Sequence, residues 1–414
     1  MKKFLFYIVS ILCLTACSSS DDPVKTEIPD APKSERTILA YLSANNNLDQ
    51  DLRENIVWMY QGLAKSDKQS TLVIYFRPSS SNWIIKENEF LIFKTDGKGN
   101  INGKPVLADS LQQLSKIMEQ AEIHTAPEGV SVDPAVMKST LKEMQTLAPA
   151  KNYGLIFGSH ATGWLEGDVT TDNSVITYSF GVDGKYSINI PEFAKAVEES
   201  FDSNTLDFIL FDACMMGTAE VCYELRNATR YCIASVMETP AIGFPYNLVL
   251  DELYNKDINF QKLCDKIVAF NKENNLWGTY AAMDCTKMQE LADAVKTQIL
   301  NNQDRIEELD YKKIQQYGVS YNGFGYFSFD VAEVIKALNN GAMPTDFQQV
   351  LDETVVAKNC IDDYNGSSSF QLIKDKNKFC GIGMYLPLNV SKSWNNYYET
   401  SIEWYEAAGW NQVR

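Results

Sequence analysis

The chain is nearly without histidine. Only His124 and His160 occur in 414 residues, so chemistry that needs an imidazole near neutral pH has two candidates. Metal centres built from several histidines are excluded by that count. No C-x-x-C and no Cys/His cluster occurs either, which removes the usual structural zinc sites. Positive charge is also short. The 37 Lys and Arg face 54 Asp and Glu, for a net charge of −17. Such a surface repels a phosphate backbone, and nucleic acid is not an expected partner. Beyond the first residues no apolar run reaches the ~18 residues that a membrane-spanning helix requires. Internal repeats are lacking, and so is low-complexity sequence beyond the polar stretch after Cys17.

What is present begins with MKKFLFYIVSILCLTAC. Lys2 and Lys3 precede an apolar run from Phe4 to Leu14, the layout of a secretory signal peptide. The ending LTAC resembles a bacterial lipobox, which implies a signal peptide over residues 1–16 and lipid on Cys17. The following SSSDDPVKTEIPDAPKSE is polar and Pro-bearing and reads as a flexible tether over 17–35. Asp21 and Asp22 resemble signals that send lipoproteins to the cell surface. The expected location is the cell envelope, at the outer membrane or cell surface, with an extracytoplasmic body. The body carries seven further cysteines: Cys214, Cys222, Cys232, Cys264, Cys285, Cys360 and Cys380. An odd number cannot all pair within one chain, and their apolar neighbours predict buried thiols.

Along the body, short apolar runs alternate with helical patterns. RTILAYLS feeds a loop of Asn45, Asn46 and Asn47 and then a helix start. TLVIYF, YGLIFG, LDFILF and YCIASV read as buried strands, and WIIKENEFLIF as a pair of strands. DPAVMKSTLKEMQTL, IPEFAKAVEESF and GTAEVCYELRNATR read as helices, the first with Pro134 near its start. LWGTYAAMD, YFSFDVAEV and FCGIGMYLPL continue the pattern, and a terminal aromatic helix follows. This alternation predicts an α/β fold with a mainly parallel sheet covered on both faces. The expected division is a main domain over 36–250 and a smaller C-terminal lobe over 251–414.

In such folds sites collect at the carboxyl ends of strands. His160 ends the run LIFGSH, and Cys214 ends ILFDAC. A thiolate nucleophile needs an adjacent imidazole and donors for an oxyanion. Cys214, between a strand and a helix start, is expected to have its pKa lowered by the helix amides. Each residue alone has a bland explanation, a satisfied histidine or a small core thiol. Their joint placement at two strand ends favours a catalytic pair. His124, before Pro127, reads as a helix C-terminal cap or surface loop.

LIFGSHATGW resembles the histidine segment H-G-x-G-W of the clostripain family of cysteine peptidases. ILFDACMMGTAEVCYEL resembles that family's nucleophile strand and following helix. ASVMETPAIGFPYN, YGVSYNGFGYFSFDVAEV, GIGMYLPL and EWYEAAGW continue the resemblance over nearly the whole body. It implies a caspase-like three-layer α/β/α sandwich and a peptidase using His160 and Cys214. The backbone N–H groups of Ala161 and Cys214 would bind the oxyanion, and the substrate would be a peptide or protein. Familiar members cut after Arg or Lys. Asp212, which shares a strand face with Cys214, and Glu238 are the acids expected near the first-residue side chain. The resemblance makes Ca²⁺ the one candidate cofactor. Glu166, Asp168 and Asp172 carry suitable oxygens without the spacing of a compact calcium loop, so no metal site is assigned and solvated charge is preferred.

Three features depart from the family pattern. Ala161 stands where Gly is usual and resists positive φ. Pro245 stands where basic-specific members often have an acid. No Lys or Arg lies between Lys151 and Lys185, so self-cleavage in the early loop at a basic residue is excluded. The competing expectation is an inactive caspase-like lipoprotein that binds or scaffolds. A thiol transferase using the same thioester chemistry is a further alternative. A monomer is expected.

Overall fold

The computed structural model describes residues 34–79, 84–167, 180–203, 205–317, 328–362, 373, 375–387 and 392–413. The signal peptide and Cys17 lie outside the described residues. Residues 34–414 form one compact unit.

Strand β1 (Ser34–Ser43) opens the body. Its side chains alternate: Ile38, Ala40 and Leu42 enter one core and Leu39 and Tyr41 the other. Both faces are covered, so the strand is apolar throughout, as parallel strands require. Helix α1 (Asp49–Ala64) follows, with Asp49 and Asp51 in its first turn, where the helix dipole favours acids. It lays Leu52, Ile56, Met59 and Leu63 on the second core, the spacing of one helical face.

The chain continues through β2 (Gln69–Arg77), β3 (Glu89–Asp96), β4 (Asn100–Ile101), β5 (Lys104–Pro105) and β6 (Glu122–Thr125). The helix Pro134–Leu147 starts where Asp133 accepts bonds from the N–H groups of Ala135 and Val136, with proline where no donor is needed. β7 (Ala150–Gly158), the hairpin β8 (Phe180–Asp183) and β9 (Tyr186–Ile188), and β10 (Leu206–Asp212) come next. β11 (Tyr231–Ala234), β12 (Thr279–Asp284), β13 (Gln316–Tyr317), β14 (Ser328–Asp330), β15 (Val355–Cys360) and β16 (Gly383–Met384) complete the strands described.

The main sheet runs β15-β12-β11-β10-β7-β1-β2-β3-β4-β5, with β6 also on β3. The central run β11-β10-β7-β1-β2 is parallel. The strands on either side of it are antiparallel. Helices cover both faces, the three-layer arrangement expected. The chain leaves β1 toward β2 on one side and later toward β7 on the other. Such a reversal beside β1 is where α/β sheets bind ligands, at the carboxyl edge of the strands.

Several expectations need correction. No break marks residue 250. β12 bonds to β11 in the main sheet, and one core cluster runs from Leu39 to Trp410. The segment after 250 extends the sheet because its own apolar runs need the same two covered faces. WIIKENEFLIF gives one strand, β3, beginning at Glu89. FCGIGMYLPL contributes only Gly383–Met384. The terminal helix is two, Lys392–Ser401 and Glu403–Ala407. His124 sits in the short strand β6 opposite Phe90, its Nε2 2.9 Å from Glu122. The cysteines of the body are unpaired, and all but Cys214 are buried.

Glu220 is a charge-bearing group inside this core. It is 0% exposed. One carboxylate oxygen accepts the Tyr385 N–H at 2.7 Å and the Tyr398 hydroxyl at 3.3 Å; the other has no hydrogen bond of ordinary geometry among the described residues. Burial raises its pKa to about 7. A raised carboxylate contributes stability that is complete below its unfolded pKa and lost as pH rises through the folded one. Burial likewise raises Glu224 to about 7 and Asp212 to about 6. The thermal midpoint is therefore expected to fall from pH 6 to pH 8. Glu220→Gln is expected to flatten that slope by up to ~1.4 kcal/mol per pH unit; an unchanged slope in calorimetry would contradict the assignment.

Candidate active site

β7 and β10 are neighbours in parallel register, with Asp212 opposite Gly158. Two residues beyond each lie Cys214 and His160. The Ser159 N–H donates to the Asp212 carbonyl at 3.4 Å, so the two chains leave the sheet side by side. The structure thus brings the two residues to one rim.

The histidine segment is tied down around Ser159. Its hydroxyl donates to the Ser43 carbonyl at 3.0 Å and accepts the Val182 N–H at 2.9 Å. The His160 carbonyl accepts the Gly181 N–H at 2.9 Å. Below this, Asp183 accepts from Asn45 at 2.5 Å, from the Ser131 N–H at 2.7 Å and from Arg77 at 3.1 Å. Burial opposes its ionisation, but these donors outweigh it and hold its pKa below the usual carboxylate value. The His160 ring is partly buried, and desolvation lowers its pKa. Burial thus favours the uncharged imidazole. Its Nε2 lies 2.5 Å from Asn47 Oδ1.

Ala161 is buried and keeps an ordinary negative φ. The left-handed position in this segment falls on Gly163, at φ 64°. The glycine-to-alanine departure is therefore accommodated. Neither the Ala161 nor the Cys214 N–H has a hydrogen-bond partner among the described residues.

Cys214 does not lie at a helix start. The next helix is Ala219–Glu224, capped by Thr218, and Met215 intervenes with φ 62°. A left-handed conformation at methionine costs about 1–3 kcal/mol. The Met215 N–H donates to the Met237 carbonyl at 2.9 Å, which holds the turn. The Cys214 thiol accepts the Thr239 N–H at 3.4 Å and reaches the Thr239 carbonyl at 3.8 Å. Burial pushes its pKa up to about 12. The Thr239 N–H pulls the other way, and the charges of Glu238 and Asp212 add to the rise. The expected depression is reversed, because the helix amides are out of reach and the thiol is desolvated beside two acids.

Asp212 is almost fully buried. Its Oδ2 accepts the Tyr246 hydroxyl at 2.8 Å and the Phe244 N–H at 3.3 Å. Gly243, at φ 75°, passes so close that a Cβ there would sit 2.6 Å from Asp212 Oδ2. Asp212 thus pins the loop that carries Thr239, and the thiol and this loop are positioned together. Glu238 is partly exposed, and its carbonyl accepts the Trp277 indole N–H at 3.0 Å. Glu166 is exposed, while Asp168 and Asp172 lie outside the described residues. Among the described residues no cluster of three or more His, Cys, Asp or Glu is arranged for a metal.

Sequence reasoning missed Asn47, Met215, Thr239 and Tyr246. Asn47 carried a usable signal, since it follows β1 at the same edge of the sheet as His160.

A mainly parallel sheet with a cysteine and a histidine at adjacent strand ends defines a cysteine peptidase of caspase-like fold. The clostripain family model matches residues 40–413, and the chain belongs to that family. Clostripain of Hathewaya histolytica is 21% identical over 88% of this chain and 77% of its own length. An inactive zymogen C11 protease from Parabacteroides distasonis superposes with a TM-score of 0.70 at 20% identity, covering 91% of this chain and 99% of its own. A secreted C11 cysteine protease from Bacteroides thetaiotaomicron, solved with an irreversible peptide inhibitor, gives 0.69 at 22% identity, with 92% and 100% covered. Residues 1–18 match the prokaryotic membrane lipoprotein lipid attachment site.

The protonated resting thiol is open to a direct check. Alkylation of Cys214 by iodoacetamide is expected to be slow at pH 7 and to keep rising beyond pH 9. A plateau below pH 8, read as the signal absent in Cys214→Ala, would show a thiolate already formed.

Proposed function

We propose that the chain is an endopeptidase in which Cys214 attacks the scissile carbonyl and His160 moves the protons. The observation that carries this is the β7–β10 register with Asp212 opposite Gly158. His160 accepts the thiol proton as the Cys214 sulfur bonds to the carbonyl carbon, and passes it to the leaving amine as the peptide C–N bond breaks. Water then cleaves the thioester, with His160 again as base. The N–H groups of Ala161 and Cys214 serve as the oxyanion donors, each of a kind that supplies ~2.7–4 kcal/mol. A thiol held as a neutral group suits this route, since the proton leaves only once substrate is in place.

Asp212 and Glu238 are the acids whose charge reaches Cys214, and they fit a cationic first-residue side chain. Cleavage after Arg or Lys is the reading they support. The protein is an envelope lipoprotein anchored through Cys17, at the outer membrane or cell surface, with a monomeric extracytoplasmic body. The proposed steps use side chains and backbone groups of the chain, Ca²⁺ stays the one candidate cofactor, and paired assays with Ca²⁺ and with chelator decide whether a cation is needed.

A fluorogenic peptide library tests the proposal. Cys214→Ala is expected to abolish cleavage, and His160→Ala to lower kcat/KM by about 10²–10⁴. Asp212→Asn is expected to lower it about tenfold or more for Arg and Lys substrates. Absence of any Cys214-dependent cleavage, with reductant and calcium present, would leave the binding or scaffold reading in its place.

A further inference from the structure

The geometry points to Asn47 as the residue that fixes the ring orientation and tautomer of His160. This rests on the reading of His160 as the base. Three successive asparagines leave β1, and each makes a different bond. Asn45 reaches Asp183 at 2.5 Å. Asn46 donates to the Val182 carbonyl at 2.9 Å, and its Oδ1 accepts the Leu48 N–H at 2.9 Å. The first two thereby lock the loop to β8 and to the start of α1. Asn47, so presented, places Oδ1 2.5 Å from His160 Nε2.

An amide oxygen accepts and cannot donate, so the facing nitrogen carries the proton. The imidazole is then the Nε2–H tautomer, and the Nδ1 lone pair is left for the Cys214 proton. Binding one ring nitrogen to a fixed acceptor sets which nitrogen performs the chemistry. An amide does this without adding charge, which agrees with desolvation as the cause of the lowered His160 pKa. Asn47 is exposed, and among the described residues His160 is the one partner of its side chain. Its substitution is therefore expected to leave the fold in place. It is a positioning residue, acting through His160 rather than on the substrate.

The scarcity of histidine makes the test clean. In an untagged chain carrying Cys17→Ser and His124→Gln, every imidazole signal in a ¹⁵N–¹H spectrum belongs to His160. The Nε2–H tautomer is expected in the parent, loss of that preference in Asn47→Ala, and its retention in Asn47→Asp, which keeps an acceptor. In peptide assays Asn47→Ala is expected to lower kcat about 10- to 100-fold with KM within about twofold. An Nδ1–H tautomer in the parent, or an unchanged tautomer in Asn47→Ala, would overturn the inference, as would unchanged kcat in a chain that cleaves peptides. A parent that shows the expected tautomer and its loss in Asn47→Ala, yet cleaves nothing, upholds the placement of Asn47 and sinks the peptidase reading instead.

Discussion

The ladder between β7 and β10 sets the chemistry of this molecule. A parallel register admits no slip of one residue without exchanging every side chain between the two cores. Phe208 and Leu210 lie in one core, and Ile209 and Phe211 in the other. That double burial fixes Asp212 opposite Gly158, and the chain positions that follow are then fixed as well. His160 and Cys214 stand beside the strand whose loop carries Asn47, so three neighbouring strand ends meet around one imidazole and one thiol.

Around that rim the structure balances desolvation against a few directed donors. Asp183 is buried yet more acidic than usual, because four donors converge on it, the Ser131 hydroxyl at 2.9 Å joining the three already named. Asp212 is buried with fewer and becomes a weaker acid. Cys214 is desolvated beside two acids and stays a thiol. The pattern follows from counting N–H and O–H groups around each atom, since burial alone acts in one direction on acids and thiols. The left-handed Met215 then turns the chain directly after Cys214, and its bond to the Met237 carbonyl holds that turn in place.

The parts of this arrangement that follow from local pattern were legible in the sequence. Apolar runs such as LIFG and ILFD are too short for helices and too uniformly apolar for a half-exposed strand, so a covered parallel sheet with residues at its carboxyl edge could be read directly. The placement of His160 and Cys214 just past two strand ends was legible for the same reason. What was not legible depended on contacts between distant segments. The pKa of Cys214 depends on Thr239 and on where the next helix begins, and that helix, capped by Thr218, starts five residues past the thiol. The domain boundary failed because β12 joins the sheet by an antiparallel pairing that apolar periodicity cannot reveal. Ala161 was judged by its type, whereas the strained position in that segment belongs to Gly163.

Trp164, four residues after His160, is fully buried, with its ring 5.0 Å from those of Tyr385 and Tyr398. Both tyrosines also bond Glu220, in the helix that follows Cys214. The two halves of the rim are thus buttressed by residues from near the end of the sequence. The frame around Cys214 and His160 is completed by the C-terminal segment and not by the strands that carry them alone.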